Sequence, residues 1–354
     1  MTVASGSAEG EKKMTNGYDD IINMRLLNHG LTHKEDRIEL SQLLGIQAQF
    51  FSYANYSAKI RQISLDKGDV FKAWTLRGTM HVHDMKDYSV FIHNDLMSKY
   101  MKDFWEDETV VTKKRKEFFC DKVIESISDG IVEKNDIISR CYAMGMTDTE
   151  REVLFNSWGG IPRFLVETGE IVLQGTRKTK YKIAPHAIKI GGVQAEIEQL
   201  RRYINTYGPV TIYDIMYFFK WNKSKCLKYI CEIEYSKLNM QGEEFYYIDK
   251  CYGELDREGN PIVFSGFDPF IIGYEKKNSI IIKPQNIRDI YLLQGVIRPT
   301  LFWNNHVVGV WWKAKNVVNI KFFEKLSGEV KARFYELLAN LLNDELLQYK
   351  VVEG

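Results

Sequence analysis

At 354 residues, with 45% hydrophobic and 13% aromatic content, the chain is long enough for two or three packed domains. A net charge of +1 excludes the global basic footprint of many nucleic-acid binders, so any such surface must be local. No apolar run approaches the roughly 20 residues a membrane helix needs; the five cysteines (Cys120, Cys141, Cys226, Cys231, Cys251) fall in no metal-ligand spacing, and an odd count without a signal peptide is expected of a reducing cytoplasm.

The first 17 residues, MTVASGSAEGEKKMTNG, are small and polar and read as a disordered tail, with Met14 an alternative start. A pattern of two or three short helices followed by a pair of strands then recurs three times. The first copy starts at Thr32, with Glu35 as capping-box partner, and its helix carries Ile38, Leu40, Leu43 and Leu44 before Gly45. AQFFSYANYSAKIRQ is the next helix, and VFKAWTLRGTMHVHD holds a last helix and a strand.

In the second copy Thr147 and Glu150 form a capping box, SWGGIPRFLVETG is a short helix and IVLQGTRKTKYKIA a basic hairpin. The third is the cleanest. VQAEIEQLRRYINTYG has helical spacing at Ile197, Leu200, Tyr203 and Ile204; Thr211 caps IYDIMYFFKW, Ser224 opens KCLKYICEI, and strands follow near FYYID and PIVFS. Helix, helix, turn, helix and β wing is winged-helix order. From about residue 266, GFDPFIIGYEKK and GVIRPTLFWNNHVVGVWWKAK read as β, with Asn304–Asn305 turning a hairpin. An amphipathic helix within FFEKLSGEVKARFYELLANLLNDELL closes the chain.

The candidate chemistry begins at LLGIQAQFF. On a helix Gln47 and Gln49 would point about 200° apart, but in an extended segment after Gly45 they share a side and converge. The plainer reading is that both amides cap backbone groups at the next helix entry, where free N–H groups also favour an anion. His81, His83 and Asp84 in HVHD are a possible metal pattern, against a wing strand with one polar edge. The basic runs TKKRK and RKTKYK are ordinarily solvated faces; the second, with Tyr181 inside it, suits phosphate contact if the chain binds DNA. The adjacent Trp311 and Trp312 must leave a strand on opposite faces. Gly-rich phosphate loops, G-x-S-x-G and H-E-x-x-H are absent, which argues against NTPases, serine hydrolases and metalloproteases.

Taken in order, LLGIQAQ, TLRGTMHV, RRYINTYGPVTIYD, FDPFIIGY and RPTLFWNNHVVGVWW resemble the AlkZ/YcaQ family of winged-helix DNA glycosylases over about residues 18–345. The resemblance implies an α+β, C-shaped molecule of three tandem winged helices (18–95, 96–190, 191–265) and a C-terminal β-barrel-like domain (266–354). It implies duplex DNA with N-alkylated purines as substrate, interstrand crosslinks included. Gln47-Ala48-Gln49 is similar to the Gln-apolar-Gln motif of the AlkZ branch; the YcaQ branch has Asp in the last place. Gln47 and Gln49 are therefore the expected catalytic pair, positioning water without metal or cofactor. The candidates for DNA contact are Lys59, Arg77, Thr79, His81, Arg163, Lys178, Lys180, Arg298, Trp303, Asn304, Asn305 and His306. A monomer is expected, since a two-fold operator reader would need a dimer interface. The rival readings are a non-catalytic winged-helix regulator and a metal hydrolase on His81, His83 and Asp84.

Overall fold

The computed structural model describes residues 17–32, 38–66, 69–93, 95–175, 178–185, 189–248, 260–343 and 348–352, so the Thr32–Glu35 box and the tail up to residue 16 lie outside the described residues. The fold is mixed α+β. No described helix is long and apolar enough to cross a membrane. Helix Tyr18–Asn28, unread in the sequence, precedes the motif region. The apolar spacing at 38–44 gives only a 3-10 turn, Leu40–Leu43, with Gln42 accepting from the Glu39 amide at 2.8 Å, rather than the helix the period suggests. Strand β1 (Ile46–Gln47) follows, then helix Phe51–Lys59.

VFKAWTLRGTMHVHD is a hairpin, not a helix and a strand: β2 (Val70–Trp74) and β3 (Met80–Asp84) run antiparallel, Ala73 facing His81. The basic hairpin is β4 (Ile171–Gln174) and β5 (Lys180–Ile183). These strands do not form two separate wings. They join one sheet in the order β1-β3-β2-β4-β5, sewn at Lys72–Leu173 and by the Lys72 ammonium donating to Thr179 Oγ1 at 2.8 Å.

Between them the Thr147–Glu150 box caps helix Asp148–Leu154 as expected, and helix Gly160–Glu167 leads into β4. Further on, helix Gly192–Tyr207, β6 (Val210–Thr211), helix Ile212–Phe219, helix Lys223–Ile230, β7 (Ser236–Met240) and β8 (Glu243–Tyr247) follow one another, with a small sheet ordered β6-β8-β7. Thr211 caps its helix, paired with Asp214; Asn222, not Ser224, caps the next by accepting from the Lys225 amide at 2.9 Å.

PIVFS supplies β9 (Ile262–Phe264), which leaves the wing and joins the last sheet. That sheet runs β13-β12-β11-β10-β9, with β10 (Thr300–Trp303) and β11 (His306–Ala314) turned at Asn304–Asn305, both at positive φ. Strands β12 (Val317–Phe322) and β13 (Gln348–Val351) pair in parallel, so a strand follows the closing helix, Gly328–Leu342. GFDPFIIGY is not β: Asp268 accepts from the Phe270 amide at 2.9 Å and Pro269 starts a single helical turn, Pro269–Ile272. Trp311 enters the core under helix Gly328–Leu342, its Nε1 donating to the Phe264 carbonyl at 3.0 Å; Trp312 leaves by the other face, half-buried beneath Arg298.

Between the motif region and the last sheet lies a buried ion pair. Arg61 Nη1 and Nη2 donate to Asp268 Oδ2 and Oδ1 at 2.9 and 2.8 Å, both side chains 0% exposed. Ser57 donates to the same carboxylate at 2.7 Å, and Arg61 Nε donates to the His29 carbonyl at 3.1 Å. Removing one partner strands the other charge. Arg61→Ala should therefore cost about 3–5 kcal/mol, read as a fall in the urea midpoint; Arg61→Ala with Asp268→Asn should recover part of it, and equal losses would place the effect outside the charge pair.

Candidate active site

The motif strand is extended because β3 holds it. Ile46 lies opposite Val82, Gln47 opposite His81, and the Ala48 amide donates to the Met80 carbonyl at 2.8 Å. Gly45 makes this approach possible. Its φ is +83°, and a Cβ there would sit 2.4 Å from His83 Nδ1. Ile46 and Ala48 both enter a small core with Leu43, Ala54 and Val82. Strand alternation therefore sends Gln47 out on the opposite side, while Gln49 lies past the strand in a bend. Gln47 is 8% exposed and Gln49 is exposed, followed by the exposed Phe50, whose ring stacks on Phe267 at 5.9 Å.

Gln47 Oε1 accepts from Arg77 Nη2 at 3.2 Å. Arg77 sits in the turn Leu76–Gly78 at φ 57°, its guanidinium 4.9 Å over Phe218 of helix Ile212–Phe219. Burial holds its pKa below the usual arginine range, while Tyr207, Tyr217, Tyr203 and Tyr291 act to raise it. These aromatic groups lie more than 120 residues away in the chain, and the spacing around TLRG carries no sign of them.

His81 Nδ1 donates to the Thr79 carbonyl at 2.9 Å, which fixes the tautomer. Burial, with the Arg77 charge second, pushes its pKa down to about 3, so the ring is neutral. His83 stacks on Phe91 at 3.9 Å and its Nε2 meets Thr75 Oγ1 at 2.9 Å; burial drives its pKa well down as well. The two rings stack at 5.8 Å, but Asp84 turns away to cap the Lys86 amide. Among the described residues no three His, Cys, Asp or Glu side chains gather as a metal site.

Gln47, Arg77 and His81 thus come together with Thr79 beside them, Thr79 Oγ1 donating to the Leu76 carbonyl at 3.2 Å. The other candidates are scattered. Lys59 donates to the Asn340 and Leu341 carbonyls and to Asn343 Oδ1, closing the end of helix Gly328–Leu342. Arg163 is buried, paired with Glu167 at 2.8 Å and lying over the Trp74 and Tyr100 rings. Both find partners within the chain, Lys59 at the surface and Arg163 in the interior. Arg298 stacks on Trp312, Asn305 donates to Asp19 at 3.0 Å, and His306 bonds Glu324 at 3.0 Å; Trp303 is half-buried. Lys178, Lys180 and Asn304 are exposed.

The neutral, enclosed histidines make the fold acid-sensitive. Unfolded, each binds a proton near pH 6.5; folded, His81 does so only near pH 3. Lowering pH through 6.5 therefore adds protons to the unfolded state first, and stability should fall by up to about 1.4 kcal/mol per pH unit per histidine. Urea midpoints at pH 7 and 5 test this: the drop should shrink by roughly half in His83→Phe, and an unchanged drop would remove His83 from the account.

Three comparisons bear on identity. The family model for AlkZ-like DNA glycosylases matches residues 54–343, beginning after Gln49. An interstrand DNA cross-link repair glycosylase of Streptomyces sahachiroi is 22% identical over 303 residues, covering 77% of this chain and 80% of that protein. The solved Streptomyces sahachiroi DNA glycosylase AlkZ superposes with a TM-score of 0.75 at 18% identity, over 96% of this chain and 100% of that one, a likeness of fold.

Proposed function

The chain belongs to the AlkZ-like DNA glycosylases, enzymes of DNA repair, and on that premise we propose that it is a monofunctional glycosylase releasing cationic N-alkylated purines, N7-alkylguanine and N3-alkyladenine, from duplex DNA. The observation that supports this reading is the Gln47 amide on the extended β1, held by Arg77, with the exposed Gln49 two residues on.

An amide can orient water but cannot take its proton or balance a sugar cation as a carboxylate does. That suffices when the base already carries a positive ring. The glycosidic bond breaks with its electron pair neutralising the ring, an oxocarbenium-like sugar forms, and water adds at C1′ with loss of a proton. Neutral bases such as uracil lack this driving force and should be poor substrates. No lysine lies within the motif, so the product is an abasic site without strand cleavage by a Schiff base.

We infer further that crosslinked purines are substrates, as the name of the Streptomyces relative suggests. Gln49 and Phe50 are exposed rather than sunk in a pocket, which suits a base that cannot swing free of its partner strand. Three winged-helix units, the first two sharing the sheet β1-β3-β2-β4-β5, and a C-terminal β domain that takes in β9, curved about the duplex, are the arrangement this reading assigns, acting as a monomer in the cytoplasm.

Single-turnover release from a duplex holding one N7-methylguanine, scored as alkali-labile sites, tests the chemistry. Gln47→Ala and Gln49→Ala should each slow it by about a hundredfold with DNA affinity little changed. Full activity in both would exclude the amide mechanism, and tight binding without release by the unaltered protein would favour a regulator.

On this reading the phosphate grip falls to the exposed Lys178 and Lys180 of the β4–β5 hairpin. Lys178→Glu with Lys180→Glu should weaken duplex binding and flatten its dependence on salt. An unaltered slope would take this hairpin off the interface.

A further inference from the structure

Arg77 is a half-buried cation that makes no ion pair among the described residues. Its Nη2 donates to Gln47 Oε1, while Nη1 is enclosed and has no hydrogen-bond partner. The ionisable groups that act on it most are the hydroxyls of Tyr207, Tyr217, Tyr203 and Tyr291, and Phe218 lies under its face. A phosphate contact needs a nitrogen that DNA can reach; Nη1 is enclosed and Nη2 is engaged by Gln47. The backbone carries strain as well, since a residue with a Cβ rarely adopts φ 57° and persists there only where its surroundings over-determine it.

A carboxamide has two faces that differ only in which atom is oxygen and which is nitrogen. A guanidinium donates and never accepts, so the atom of Gln47 facing Arg77 must be the oxygen. Flipping the amide would set an N–H group against Arg77 Nη2, two donors together in an enclosed place. From this we propose that Arg77 is the positioning residue that fixes the orientation of the Gln47 amide for water addition, and is not a phosphate contact. The inference rests on the reading of Gln47 as a water-positioning group. With one lone pair of Oε1 held by Arg77, the second lone pair and both N–H groups are presented to the reaction in a single orientation. Phe218 lies under the guanidinium, so a segment beyond residue 200 helps set the geometry of a motif near residue 47.

The test is a double-mutant cycle on the full chain: unaltered protein, Gln47→Ala, Arg77→Met and the pair, each read by single-turnover release from the N7-methylguanine duplex. Affinity for undamaged duplex is measured at several salt concentrations, and thermal melting checks that each variant is folded. Arg77→Met should slow release about ten- to a hundredfold, the scale of a misplaced reacting group. Its DNA affinity and salt slope should be unaltered, and in the pair the loss should be no greater than in Gln47→Ala alone, because the two act as one unit. Arg77→Lys, which keeps a cation and a donor, should be folded and recover part of the rate; it carries the test if Arg77→Met does not fold. A salt slope shallower by about one in Arg77→Met would make Arg77 a phosphate contact and overturn the proposal. Losses that multiply in the pair would overturn it too. Full activity in Gln47→Ala would instead sink the amide mechanism on which the proposal stands.

Discussion

The arrangement of the candidate site depends on one desolvated ion pair. Arg61 is two residues past the end of the helix that follows the glutamines; Asp268 begins the turn that opens the last part of the chain. Two charges buried together in water-free surroundings need every remaining hydrogen bond to be made. Here Ser57, the Phe270 amide and the Ser57 and His29 carbonyls make them. The same contact sets Phe267 against Phe50, so the exposed ring beside Gln49 is placed by a residue over 200 positions away. Gly266 allows this close packing, since a Cβ there would lie 2.6 Å from Tyr53.

Much of the site was legible because it is local. An alternation of Ile46, Gln47 and Ala48 can mean only one side for the Gln47 amide once the backbone is extended, and Gly45 marks where it becomes so. The capping box at Thr147 was readable for the same reason, a partner three residues away, and Thr211 was readable as a cap, though not its pairing with Asp214. What escaped depends on distant partners. The pairing of Lys72 with Leu173, which turns two hairpins into one sheet, leaves no trace in either segment. FDPFIIGY was misread as a strand because a short apolar run has no period of its own; the Asp268–Pro269 start of a helical turn was the signal available. Arg77 was visible as a candidate, but its aromatic enclosure and its hold on Gln47 were not.

Electrostatically the site is unusual for bond cleavage. Its histidines are held neutral and its arginine is enclosed without a counter-charge. A centre of this kind offers little to a substrate that must gain a proton or shed a negative charge. On the proposed reading the leaving group brings its own charge, and selectivity resides in the chemistry of the damaged base.

The five-stranded sheet ties the reaction centre to the exposed basic hairpin. From β1, which bears Gln47, to β5, which bears Lys180, there are four strand-to-strand steps, roughly 19 Å at the usual spacing. Backbone pairing fixes that span more firmly than any loop could. The sheet is in effect a calliper that holds Gln47 and Lys180 at a set distance from one another. Its weakest hinge is the seam at Lys72 and Leu173, the place where the gauge itself would give.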